Sequence, residues 1–381
     1  MKGSKYKLII LIITIIIITT YYIKGNLTKN SVAATEDLKP VSQNINGINM
    51  IIDPRIELLA VVQAVGTYDE QYDLITNEDF DYKKEIKKSF SEFSNHEAVK
   101  VFNNMSRENF SYDAPPTAML YLSNPLSLKV NQEFTDYLKS RGGEEKLNKF
   151  ALEIRNFAID SKFHEFFNKQ MKFYNSVIEE NAKVMGNTNY IDQLEQYYGM
   201  KQNSYNIILS PMFHSGGFGP RVESKNGEYD LYSIQGPSSV KDNIPIFGNE
   251  DGFRYIALHE FSHSFINPLT EENIDEVNKY SQLYEPISEK MSKQAYNIWE
   301  ACVNEHIVRA VVARLTFIHS GSENYETIVA YEKDRGFLYI DELTKKLEEY
   351  EKNRDRYKSF KDFFPELVKV FKELSLSIPQ T

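Results

Sequence analysis

His259-Glu260-Phe261-Ser262-His263 is the stretch on which the reading of this chain turns. An α-helix advances 3.6 residues per turn, so side chains four residues apart lie one above the other on the same face. Two imidazoles placed in that way can reach one metal ion at roughly 2.0–2.1 Å. Glu260 follows the first histidine, where its carboxylate can take a proton from a metal-bound water rather than bind the ion. The pattern predicts His259 and His263 as metal ligands and Glu260 as a general base. The alternative is a surface helix with two solvated histidines.

The segments before the motif read as a small sheet. Tyr205-Asn206-Ile207-Ile208-Leu209-Ser210 is a β-branched run ended by Pro211 and reads as a strand. Gly216-Gly217-Phe218-Gly219-Pro220-Arg221-Val222 is a turn feeding a second strand. Tyr229-Asp230-Leu231-Tyr232-Ser233-Ile234 is a third, closed by Gly236-Pro237. The motif helix is expected to start near Asn249 or Asp251 and to stop at Pro268, which cannot continue it. Far upstream, the apolar run at residues 55–62 is preceded by Asp53-Pro54, an N-cap and first-turn pair. Residues 82–105 and 128–184 carry apolar positions at three and four, the mark of amphipathic helices. A long helix is expected over about 288–319, with Gly321 as its C-cap, and charged amphipathic helices over 341–374. No repeat of solenoid period is present. The fold class is therefore α+β, mostly helical, with a small sheet next to the motif helix and helical regions on either side. The divisions expected are a helical N-terminal region at 49–200, a catalytic region at 201–320 and C-terminal helices at 321–381.

A catalytic zinc has three protein ligands and an open position. The third ligand is sought as a carboxylate on an otherwise apolar helical stripe, because a lone buried carboxylate needs a cation, a metal or a donor. Ile298, Ala301, Cys302, Val308, Val312 and Leu315 share one helical face, and Glu305 falls within it. Glu300 lies on a more mixed face with Asn304, Ile307 and Arg314. Arg309 is one turn after Glu305 and can pair with it, a role compatible with ligation because a neighbouring partner often orients a ligand. Glu305 is expected to be the third ligand, with Glu300 next in line. An oxyanion donor is not singled out by the sequence; His214, Tyr280, Tyr284 and His306 are the candidates. His306 points about 100° away from Glu305 around the helix, so a surface role stands beside that of a donor.

The formal charge of −10 argues against nucleic acid as a partner. Aromatic content of 13% with 26% charged residues indicates a folded, soluble body. Cys302 is the only cysteine, so neither an intrachain disulfide nor a cysteine-held zinc can form. Met1-Lys2-Gly3-Ser4-Lys5-Tyr6-Lys7 is basic, and residues 8–23 follow without a charge before Lys24. Residues 1–24 read as an export signal or N-terminal membrane anchor, with residues 25–48 as a polar linker. The rest of the chain is expected outside the cytoplasm, of a bacterium on composition. Oligomeric state is not legible.

These residues resemble the gluzincin branch of the zincin metallopeptidases, in which HExxH on one helix is joined by a glutamate from a later one. A metzincin extension is absent, since Ser264-Phe265-Ile266-Asn267-Pro268 follows His263. More closely, the chain resembles the DUF4932 family, placed among peptidase-like zincins. The matching pieces are Asp53-Pro54-Arg55-Ile56-Glu57-Leu58-Leu59, Leu209-Ser210-Pro211, the Gly-Gly-Phe-Gly turn, residues 259–268, and Asn304-Glu305-His306-Ile307-Val308-Arg309-Ala310. The resemblance implies a zincin-like catalytic domain holding one zinc ion per chain and hydrolysing peptide bonds, with a peptide or protein as substrate. It further implies a substrate-binding edge strand. Ile207 and Leu209 in the 205–210 strand, with Gly216 and Gly217 in the following turn, are the candidates, against an ordinary packed strand. The competing functions are a catalytically inactive zinc-binding surface interaction protein and a zinc hydrolase of non-peptide amides or cell-wall material.

Overall fold

Asn46-Gly47 sets the first fold feature. Both residues have positive φ, 50° and 88°, the backbone of a type I′ turn, and they join strands β1 (Val41–Ile45) and β2 (Ile48–Ile52) into an antiparallel hairpin. This computed structural model describes residues 37–186 and 190–377, and from Lys39 onward they form one compact unit. The membrane-anchor segment expected at 1–24 lies outside the described residues. No helix among the described residues is long and apolar enough to cross a membrane. Strand β1 falls inside the stretch read as linker: alternation of one buried end with exposed Ser42, Gln43 and Asn44 disguises it as polar coil.

β2 pairs in parallel with β3 (Ser204–Leu209), and β3 pairs in parallel with β6 (Tyr229–Gly236). β4 (Gly216–Phe218) and β5 (Arg221–Glu223) both run antiparallel to β6. The order β1-β2-β3-β6-β4 places β3 in the middle and β4 at the rim. Of the two readings of residues 205–210, an edge strand and an ordinary packed strand, the packed strand holds. Ile207 and Leu209 are fully buried, because β2 arrives from some 150 residues upstream to cover that side, a non-local pairing that no local pattern reports. The same pairing carries one sheet across the division expected at 200/201. A second hairpin, β7 (Ser239–Lys241) with β8 (Ile244–Ile246), leads into the motif helix.

The helices that bear on the site are α1 (Pro54–Val65), α2 (Met171–Met185), α3 (Glu250–Glu272), α4 (Trp299–Ser320), α5 (Ser322–Asp334) and α6 (Ile340–Lys352). α1 begins as read: Asp53 accepts a hydrogen bond from the Arg55 amide and Pro54 opens the first turn. α3 carries the motif. Asn249 caps it through Gly252 N at 2.8 Å, with Glu250 and Asp251 favourable in the first turn. Phe261 sets its ring edge-on to Tyr205 of β3 at 5.4 Å, and Phe265 stacks on Tyr198 at 4.3 Å. These aromatics hold one face of α3 on the core, and α4 packs along the helix as well.

Pro268 lies within α3 and does not end it. A proline removes the N–H that would serve the carbonyl four residues back, here Ser264. Arg221 Nη1 donates to that carbonyl at 3.3 Å while its guanidinium lies 4.1 Å from the Tyr229 ring centroid. Arg221 thus mends the helix. The long helix expected at 288–319 is broken. A short helix ends at Ser292, Ala295 takes φ 68°, and α4 starts only at Trp299. Ile298 is the N-cap and is exposed, so it leaves the buried stripe to which it was assigned. Gly321 closes α4 as expected, with φ 83° and its N–H on the Phe317 carbonyl.

Candidate metal centre

Residues 259–263 lie in the middle of α3, and both histidines turn to the same side. His259 Nε2 and His263 Nε2 are 3.2 Å apart. Glu305, reaching across from α4, brings Oε1 to 3.3 Å from His263 Nε2 and Oε2 to 3.6 Å from His259 Nε2. These separations, the last two taken to different oxygens of Glu305, are close to the about 3.3 Å between tetrahedral ligands that stand roughly 2.05 Å from one ion. Glu305 Oε2 is buried and has no aligned hydrogen bond among the described residues, a state a carboxylate tolerates only beside a cation or metal. His259, Glu260 and His263 form a cluster whose ligand atoms lie within 4.8 Å of one another and can hold a metal ion.

Neighbours orient each member. Asn267 Oδ1 is 3.2 Å from His263 Nδ1, on the next turn of α3, and holds the ring with Nε2 turned to the cluster. Arg309 Nη1 lies 3.0 Å from Glu305 Oε2. The same nitrogen lies 3.1 and 3.3 Å from the two ring nitrogens of His259, against the ring rather than on one lone pair. The pairing of Glu305 with Arg309 and its convergence on the histidines therefore occur together. Burial raises Glu260 to about 7, with His263 opposing and Glu305 adding to the rise. Burial pulls His263 down, but Glu305 outweighs it and carries the imidazole to about 9. His259 is pushed well below its ordinary value by burial and by Arg309. Burial works against ionisation of Glu305, yet Arg309 and His263 hold it well below the usual carboxylate range.

Two glycines of the turn expected to matter press on the general-base candidate. A Cβ on Gly217 would stand 2.9 Å from Glu260 Oε1, and one on Gly219 would stand 2.3 Å from the Glu260 carbonyl oxygen and 3.0 Å from Oε2. Only glycine lets the rim strand β4 approach α3 this closely. A family model described as a domain of unknown function (DUF4932) matches residues 48–370. The chain belongs to the DUF4932 family. No curated protein and no solved structure matches it.

The DUF4932 segment contains every residue named as a site candidate, and the structure sorts them. Gly216 and Gly217 lie on β4, Gly217 against Glu260 and Gly216 against His214, while Ile207 and Leu209 are core. Glu300 is half-exposed near Glu271 and apart from the histidines. His306 is fully buried, with Nδ1 2.7 Å from the Cys302 carbonyl and its ring packed on Phe337 and Tyr339; burial lowers it to about 4. Of the two readings of His306, the surface one does not hold: α4 is covered on this face too, by the residues leading into α6. His214 stacks on Phe218 of β4 at 5.5 Å and faces Gly216, beside the rim and outside the ligand cluster. Tyr280 donates to Glu276, one turn back.

Tyr284 also misses the cluster, but it donates to the Tyr296 carbonyl at 3.2 Å, joined there by Cys302 Sγ at 3.7 Å. Tyr296 is the residue that sequence reasoning passed over. It sits in the break before α4, its phenol 3.4 Å from Arg309 Nη2. Burial raises its phenol, with Glu305 and Glu260 adding to the rise and Arg309 opposing it. Its location depends on the left-handed turn at Ala295, a conformation that alanine does not advertise.

Proposed function

We propose that this DUF4932 protein is a zinc-dependent metallopeptidase of gluzincin type. The observation that carries the reading is the convergence of His259, His263 and Glu305 at coordination spacing with the Glu260 carboxylate beside them. Two imidazoles, a carboxylate and an open position suit zinc. Such an ion supplies Lewis acidity and makes water a nucleophile at neutral pH. Glu260 takes the proton of the attacking water and returns it to the leaving nitrogen. Tyr296, whose phenol accepts from Arg309 Nη2 and keeps its own proton free to give, is the donor we assign to the developing oxyanion.

Support for an extended peptide as substrate comes from the rim strand. β4 pairs with β6 on one side, no other described strand pairs with its outer edge, and Gly217 sets that backbone against Glu260. A peptide adding to this edge through main-chain hydrogen bonds would pass its carbonyls in front of the base. The basic and apolar residues at 1–24 support an exported, membrane-anchored or secreted location.

Glu260→Gln tests the function. In a peptide-library digest the parent cleaves, and the variant retains its metal while cleavage vanishes. Cleavage surviving the substitution refutes the mechanism, and a wall-fragment digest run beside it reports whether the substrate is a peptide.

A further inference from the structure

Arg309 presents a difficulty for any cation at the centre, and the solution to it is also in the structure. Its guanidinium is buried, with Nη1 3.0 Å from Glu305 Oε2 and 3.3 Å from His259 Nε2. A dication held by those two groups would stand within a few ångströms of this positive charge, and like charges out of water repel strongly. On the far side of the guanidinium, Glu332 of α5 is fully buried and brings Oε2 to 3.1 Å from Arg309 Nε. The same oxygen is 3.3 Å from Arg335 Nη1, and the other oxygen accepts a hydrogen bond from Tyr255, one turn before His259 on α3. Phe337 covers the guanidinium at 4.2 Å, so water does not screen the pair.

We propose that Glu332 is a positioning residue of the metal centre: it neutralises Arg309 so that the guanidinium holds Glu305 beside a bound dication instead of repelling that dication. The inference rests on the zinc reading above. Glu332 touches neither the ligands nor the ion. Its effect passes through Arg309, which makes the role separable from simple packing by a double-mutant cycle.

The experiment is a zinc titration of the full-length protein against a chromogenic chelator, with Glu332→Gln, Arg309→Met and the double variant, each checked for fold by circular dichroism. Glu332→Gln is expected to weaken zinc binding roughly 10–100-fold, the range for partners behind a ligand. In the Arg309→Met background the same substitution is expected to change affinity less than about threefold, because the cation next to the ligands is gone and only Arg335, which touches none of them, is left against Glu332. An equal loss in both backgrounds overturns the proposal, as does parent-like affinity in Glu332→Gln. Should Glu332→Gln alone not fold, Arg309→Met against the double variant decides: matching affinities support the role and a further tenfold loss overturns it. A folded parent that takes up no zinc overturns the zinc reading itself and this role with it.

Discussion

Glu57 offers a prediction that depends on no substrate. This carboxyl sits in α1, fully buried, where Tyr82 donates to one oxygen and Ser210 at the end of β3 donates to the other at 3.2 Å. Burial lifts it from 4.5 to about 7, against the lowering effect of those two hydrogen bonds. The folded state therefore holds this proton more tightly than the unfolded state does. The stability it contributes is fully present below about pH 4.5 and is lost as the pH rises through about 7. A displacement of that size is worth about 3 kcal/mol. Glu57→Gln is the perturbation: its amide oxygen can still accept from Tyr82, its NH2 can meet Ser210, and nothing titrates. Unfolding free energies of parent and variant are measured in urea at pH 4.5 and pH 8. The variant should gain about 3 kcal/mol on the parent between the two pH values. Contributions from the histidines and other carboxylates are common to both proteins and cancel in the difference. A difference that stays flat with pH refutes the reasoning, and would mean that water or a local opening reaches Glu57.

Two predictions concern the site. Gly219→Ala places a Cβ 2.3 Å from the Glu260 carbonyl oxygen, so strand and helix must part; overpacking of this kind costs roughly 1–3 kcal/mol, read as a lower urea midpoint, and peptide cleavage falls with zinc retained. Unchanged midpoint and cleavage would show that β4 does not press on α3 as described. Tyr296→Phe is expected to lower kcat roughly 10²–10³-fold, the cost of one oxyanion donor, with KM and zinc content close to the parent; a kcat within threefold of the parent removes Tyr296 from the mechanism.

What could be read from the sequence was local. Helical period alone places His259 and His263 on one side of α3, and the expense of a buried carboxylate picks out Glu305. Caps at Asp53 and Gly321 are short-range signals and stand where expected, and Asn249 is the earlier of the two starts offered for α3. Residues whose place depends on distant partners were hidden. Pro268 reads as a helix stop because the donor that compensates it, Arg221, lies on a strand more than 40 residues earlier. The covering of β3 on both sides is hidden because β2 is remote in the chain. Glu332 sits in the charged run Glu332-Lys333-Asp334-Arg335 and looks like a solvated face, until α5 turns it onto Arg309. The Asn46-Gly47 turn was the exception, a short-range hairpin signal overlooked because β1 is polar along most of its length.

The central claim is a three-ligand zinc centre, and elemental analysis of the purified full-length protein tests it most directly, with His259→Ala, His263→Ala and Glu305→Ala measured alongside. The account predicts about one zinc per parent chain, lost in each variant. A folded parent that holds no zinc after reconstitution, or a Glu305→Ala variant that keeps the full complement, would contradict it.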